Sequence, residues 1–282
     1  MVELGGTYDT KEKQAIREQL WDPAFTDLIE NEKVNSKDLK YFELPGPECI
    51  YLKQVLEKFK IEKSNITTVE QHHDCTIPIR QYLSGKAPLI EGRLEDITQE
   101  GKLINFFPFD IINLDFCGQA FVFKKGGYPE RWETIKYFIK NNYDKKQKTF
   151  YLLLTVLAAR DPSSGIKYLE SMISTLNKIT KITVDPSKWK GRRESKLIQM
   201  VLPSIIIDEA LSFNYTLDIS KYISKSYQQT GHPSVMATFS FKLKYNKEFD
   251  QLLGPAKMEK IDEFRKKTIT EYYSREPEEL TL

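Results

Sequence analysis

Cysteine is scarce in this 282-residue chain, with Cys49, Cys75 and Cys117 alone, none of them in a CxxC pair. Three thiols cannot all pair within one chain, so neither a disulfide framework nor a zinc ribbon is expected, and a reducing cytoplasm is the natural setting. An excess of one charge is also missing: 42 Lys and Arg face 40 Asp and Glu, a formal net charge of +2. That balance excludes nucleic-acid binding through bulk charge and leaves only a local basic patch for the role. No apolar run is long. The longest, Phe150 to Ala159 with one Thr inside it, is about half of what a membrane-spanning helix needs. The start, MVELGGTYDTKEK, lacks a basic segment followed by an apolar one, so no secretory leader is expected. Histidine is rare as well. His72 and His73, beside Asp74 and Cys75, invite a metal reading, but no second ligand pair lies nearby, so no metal is expected and the pair is read as loop residues bordering a site.

What is present suits a large core: 40% of residues are hydrophobic, with 16 Phe and 15 Tyr. Residues 8–33 read as amphipathic helix broken near Pro23. From there strand-like and helical stretches alternate. Strands are expected at 39–44, 66–69, 89–90, 109–115 and 149–159. Helices are expected around 50–59, 77–83, 130–141 and 165–179. Repeated strand–helix alternation predicts a parallel sheet covered on both faces. The last third changes rhythm, with a helix over 193–212 despite Pro203, then two strands in succession, 214–227 and 234–245, around Gln229-Thr230-Gly231-His232-Pro233. In the second of these, Val235, Ala237, Phe239, Phe241 and Leu243 alternate with Met236, Thr238, Ser240, Lys242 and Lys244, which predicts one buried and one more polar face. The organisation read from this is an N-terminal helical extension (1–37), an α/β domain (38–250) and a C-terminal helix and tail (251–282).

Four stretches stand at the ends of the predicted strands: Phe42-Glu43-Leu44-Pro45-Gly46-Pro47, Glu70-Gln71, Ile90-Glu91-Gly92-Arg93-Leu94-Glu95-Asp96 and Phe109-Asp110-Ile111-Ile112-Asn113-Leu114-Asp115-Phe116-Cys117-Gly118. Taken singly they are a Pro-Gly turn, a strand-end acid, a charged loop opening a helix and an acid closing a buried strand. Open α/β sheets bind ligands at that edge. Glu70 follows Gly46 by 24 residues, the spacing at which a strand-two acid holds ribose hydroxyls in sites of this topology.

Five strand–helix units, a terminal hairpin and these four stretches together resemble the Rossmann-like, class I S-adenosylmethionine-dependent methyltransferases, over roughly residues 38–245. The last stretch is similar to the strand-four motif of tRNA guanine dimethyltransferases and related nucleic-acid methylases, with Phe116 where that group has Pro and Cys117 where it has Phe. The resemblance implies a mostly parallel sheet with helices on both faces and an antiparallel C-terminal hairpin. It implies S-adenosylmethionine as cofactor, bound by Glu43, Gly46, Glu70, Gln71, Leu94, Glu95 and Asp115. It further implies that Asp115 and the Phe116 carbonyl receive an acceptor amine, with Phe116 or a neighbouring aromatic stacking on a base.

The strongest basic cluster, Lys178, Lys181, Lys188, Lys190, Arg192, Arg193 and Lys196 around Trp189, fits a phosphate-tracking surface, with Lys188, Lys190, Arg192 and Arg193 as its candidate contacts. A solvated loop between helices reads equally well. The function expected is methyl transfer to an amine of a nucleic acid. The rival is a non-catalytic scaffold or partner subunit of the same fold, and a nucleotide-binding oxidoreductase comes third, disfavoured by the terminal hairpin.

Overall fold

Continuous apolar strands need cover on both faces. The computed structural model describes residues 10–116, 129–158, 164–185, 193–228 and 235–275, and it supplies that cover. In order along the chain come α1 (Lys11–Ile16), a π-helical turn (Arg17–Trp21), α2 (Asp22–Glu30), β1 (Tyr41–Glu43), α3 (Ile50–Phe59), β2 (Ile66–Glu70), α4 (His73–Leu83), β3 (Leu89–Glu91) and α5 (Leu94–Gln99). They continue with β4 (Ile111–Asp115), α6 (Glu130–Asp144), β5 (Thr149–Ala158), α7 (Ser164–Thr180), α8 (Arg193–Ser212), β6 (Tyr215–Leu217), β7 (Ile223–Gln228), β8 (Val235–Tyr245), α9 (Lys247–Gln251) and α10 (Gly254–Tyr273).

The sheet runs β3-β2-β1-β4-β5-β8, with β6 and β7 end to end along the far edge of β8. Neighbours from β3 through to β5 are parallel, and β8 is antiparallel to β5 along the whole of β5. Because side chains alternate across a strand, β1 sends Tyr41 to one core and Phe42 to the other. The N-terminal helical segment with Leu20, Trp21 and Phe25, together with α3 and α4 through Leu52 and Ile79, covers the first face, and α5 to α8 with α10 cover the second. No helix among the described residues is long and apolar enough to cross a membrane.

Three expectations change in detail. β4 starts at Ile111 rather than 109, because the Asn142 side chain takes both backbone groups of Phe109, accepting its N–H at 2.9 Å and donating to its carbonyl at 2.9 Å. α4 begins at His73, so His73 lies in its first turn and Pro78 inside it. The strand expected over 214–227 is broken at Asp218, whose carboxylate accepts the Ser220 N–H at 3.2 Å and opens a short 3-10 turn.

The polar face of β8 is also buried. Thr238, Ser240 and Lys242 are each no more than 1% exposed. Lys242 sends its ammonium to Asp27 of α2 and, at 2.6 Å, to Glu32. Tyr151 donates to Asp27 at 2.9 Å, and Lys221 reaches its other oxygen at 2.8 Å. Burial pushes the Asp27 carboxyl up, but hydrogen bonds from Lys221, Lys242, Asn31 and Tyr151 outweigh it and hold the group well below the usual carboxylate range. The stabilisation is therefore complete above the unfolded-chain value and is lost as pH falls through the folded one. Asp27→Ala leaves the buried Lys242 ammonium with Glu32 as its one carboxylate among the described residues and takes the acceptor from the Tyr151 hydroxyl. It is expected to cost about 3–5 kcal/mol in urea denaturation, whereas the paired apolar swap Asp27→Leu with Lys242→Met is expected to recover most of it.

Candidate functional site

After β1 the chain builds outward through β2 and β3, then returns to place β4 on the other side of β1. Strand order reverses between β1 and β4, so a crevice opens beyond their carboxyl ends. Glu43 ends β1 and Asp115 ends β4. A cleft of about 330 Å³ there is lined by Gly46, Glu70, Gln71, Leu94, Glu95, Asp115 and Phe116 among others. An adjoining cavity of about 50 Å³ is bounded by Glu43, Asn113 and Asp115, with Lys13 and Arg17 opposite. Every residue picked from the sequence for a cofactor or acceptor role borders one of these two spaces.

Glu43 is 4% exposed, and burial pushes its carboxyl up to about 8, aided by the charge of Asp115 and opposed by a hydrogen bond from Tyr41 and by Arg17. It pairs in register with Asn113, so the two side chains stand next to each other on one face. Asn113 donates to the Tyr41 hydroxyl at 3.3 Å. Glu43 Oε2, Asn113 Oδ1 and Asp115 Oδ1 are buried without a hydrogen-bond partner among the described residues. Asp115 Oδ2 is taken by the Lys13 ammonium.

The turn after β1 closes where Cys49 N–H donates to the Gly46 carbonyl at 3.0 Å, and Cys49 itself, at φ 51°, takes the left-handed conformation that leads into α3. Its buried thiol is pushed up to about 11. At the end of β2, Glu70 Oε1 accepts the His72 N–H at 2.8 Å, and burial raises its carboxyl against that bond. Gln71 Nε2 lies 2.8 Å from His72 Nε2, while His73 turns away to Glu91 at 2.9 Å. Among the described residues no cluster of His, Cys, Asp and Glu is arranged to hold a metal.

Between β3 and α5, Gly92 holds φ 140°, a region L side chains rarely adopt, and its N–H donates to the Glu70 carbonyl at 3.0 Å. This ties the β3 turn to the β2 acid. Leu94 opens α5 as a buried residue. Glu95 is engaged, with Arg131 Nε 3.3 Å from Oε1 and Arg93 3.8 Å from Oε2. Phe116 is buried with the Arg131 guanidinium 5.5 Å above its ring, and its N–H donates to the Thr155 carbonyl at 2.9 Å. Arg131 therefore occupies one face of the ring on which a base was expected to stack.

Sequence reasoning missed Lys13, Arg17, Asn113, Cys75 and Arg131. Lys13 and Arg17 are four residues apart on a helix, a spacing that shares one face, but nothing in the sequence says what that face meets. Cys75 lines the cleft. Cys117, His232, Lys188, Lys190 and Arg192 lie outside the described residues, as does the Arg193 side chain.

Two outcomes follow from this geometry. Gly92→Ala is expected to cost about 1–3 kcal/mol in urea denaturation, since the added Cβ must hold a conformation that L residues rarely take, 3.4 Å from Ile97. Glu43 binds a proton more tightly folded than unfolded, so its contribution is full below the ordinary carboxylate range and fades as pH rises to about 8. Glu43→Gln has no such titration. Its stability relative to wild type is expected to rise between about pH 5 and 8, read from parallel urea titrations.

No protein-family model matches the chain, and no curated protein does. Among solved structures, M. jannaschii TYW2 in complex with AdoMet is similar at 10% identity and a TM-score of 0.43, over 85% of this chain and 79% of that one. TrmN from Thermus thermophilus is similar at 11% identity and a TM-score of 0.40, over 79% of this chain and 48% of that one. At those scores the fold rests on this chain's own strand pairing. By its strand order, its parallel half and its antiparallel C-terminal strands, the chain has the Rossmann-like, class I methyltransferase fold.

Proposed function

We propose that this protein is an S-adenosylmethionine-dependent methyltransferase that modifies an amine of a nucleic acid. The observation that carries the reading is a pair of buried oxygens without a hydrogen-bond partner among the described residues, Glu43 Oε2 and Asn113 Oδ1, on two residues that line one small cavity at the strand-order reversal. With Glu43 ionised, two buried acceptors side by side ask for a donor with several N–H groups, and the cofactor's amino-acid ammonium is one. Glu70, across the cleft, is suited to accept from two vicinal hydroxyls of a ribose. Leu94 and Glu95 would border the adenine, Glu95 through lone pairs that Arg131 and Arg93 leave over.

The bound cofactor supplies an activated methyl group on a sulfonium, so the protein has to position the acceptor and exclude water. Asp115 Oδ1 is the group here for the acceptor's N–H, and the Phe116 carbonyl stands next in the chain. The nucleic-acid assignment is supported by the strand-four resemblance and by the basic segment 178–196, of which Lys178 and Lys181 are exposed.

Calorimetry tests the cofactor. S-adenosylmethionine is expected to bind, and to bind more tightly as pH rises toward 8, because its ammonium requires Glu43 ionised; repeating the titration in buffers of different ionisation heat reads the released proton. An absence of binding at millimolar ligand would favour the scaffold reading. Methyl transfer from labelled cofactor to tRNA, ribosomal RNA, DNA and protein pools identifies the acceptor. Asp115→Ala is expected to lower that transfer by at least about 100-fold while the far-ultraviolet circular dichroism stays unchanged.

A further inference from the structure

Lys13 belongs to α1, outside the sheet and its crossover helices, yet its ammonium meets Oδ2 of Asp115, 102 residues further on. Neither side chain is on open surface, with Lys13 12% and Asp115 20% exposed. The segment that carries Lys13 is anchored. One turn on, Arg17 borders the same small cavity with its guanidinium 5.6 Å from the Tyr51 ring. Leu20 and Trp21 are then buried in the core, the Trp21 and Tyr51 rings 4.9 Å apart. The stretch from Arg17 to Trp21 is a π-helical turn, a local widening found often at functional sites.

Asp115 shares its end of the sheet with a second buried acid, Glu43. Two carboxylates in one cavity repel, and burial together with the Asp115 charge pushes the Glu43 carboxyl up. A cation on one oxygen of Asp115 offsets that repulsion and fixes the carboxylate's rotation through a charge-assisted hydrogen bond. The other oxygen, Oδ1, then stays buried with no partner among the described residues.

On the methyltransferase reading above, we propose that Lys13 is a positioning residue: by gripping Oδ2 it presents Oδ1 to the acceptor's N–H, so that the N-terminal segment completes the site. The acceptor nitrogen, held by that N–H, aims its lone pair at the sulfonium methyl. Bound S-adenosylmethionine would supply the methyl group, the new nitrogen–carbon bond replacing the sulfur–carbon bond whose electron pair stays with sulfur, and the surplus proton would leave the nitrogen for solvent.

Two measurements on the full chain test this. Without cofactor, acetylation by an N-hydroxysuccinimide ester is followed at each lysine by peptide mass. Lys13 is expected to react far more slowly than exposed Lys86, and about tenfold faster in Asp115→Asn than in wild type, as its charged partner is lost. With labelled cofactor and bulk tRNA, or whichever pool the wild type labels, Lys13→Met is expected to lower kcat by roughly 10- to 100-fold with little change in the KM for cofactor, and Lys13→Arg to recover most of the loss. Lys13→Gln replaces the Met variant if circular dichroism shows that variant unfolded. Wild-type kcat in Lys13→Met, no rescue by Lys13→Arg, or equal acetylation in Asp115→Asn each overturns the inference while leaving the enzyme reading standing. A wild type that binds no S-adenosylmethionine and labels no pool overturns both.

Discussion

An ammonium held in the protein interior sets how this chain is assembled. Lys242 lies on the middle of a sheet strand and is buried, so its charge must be met from the element packed over it. Asp27 and Glu32 meet it, and both come from the N-terminal helical segment. With Tyr151 and Lys221 also on Asp27, the antiparallel half of the sheet is tied to the first thirty-odd residues. A charge cluster of this kind contributes register more than net stability. An apolar face would accept α2 at several rotations, whereas paired charges accept one.

The consequence reaches the far end of the same helical segment. With α2 set by Asp27, and with Phe25 stacked on Phe59 and edge-on to Tyr41, the preceding turn carries Arg17 and Lys13 over the carboxyl ends of β1 and β4. Those ends hold two acids, and among the described residues the cation that meets Asp115 comes from α1 rather than from the sheet. On the other flank Arg131 and Arg93 hold Glu95. The crevice is thus an acidic strand edge with basic side chains set around it from the helices, its polar lining suited to a ligand that carries both ammonium and hydroxyl groups.

Much of the sheet was legible because the signals are local. FDIINLD and TFYLLLTVLAA are apolar without alternation, as strands covered on both faces must be, and they became β4 and β5. Strand-end acids such as Glu43, Glu70 and Asp115 were legible for the same reason, since the direction of a parallel strand puts its last residue at the ligand edge. Boundaries were less legible where a distant side chain intervenes. Asn142 shortens β4 by taking the backbone of Phe109, and nothing in residues 109–115 announces it. The polar face of β8 was legible as polar, but its burial depended on a partner more than two hundred residues earlier.

By itself, then, the sequence determined the order of elements, the parallel half of the sheet and which acids end its strands, because apolar periodicity and turn residues act over a few positions. Only the tertiary structure decided what faces those acids. That Lys13 meets Asp115, that Asn113 stands beside Glu43 and that Arg131 covers Phe116 follow from strand register and helix docking. Those are set by packing and charge pairing between residues far apart in the chain, for which no local pattern exists to be read.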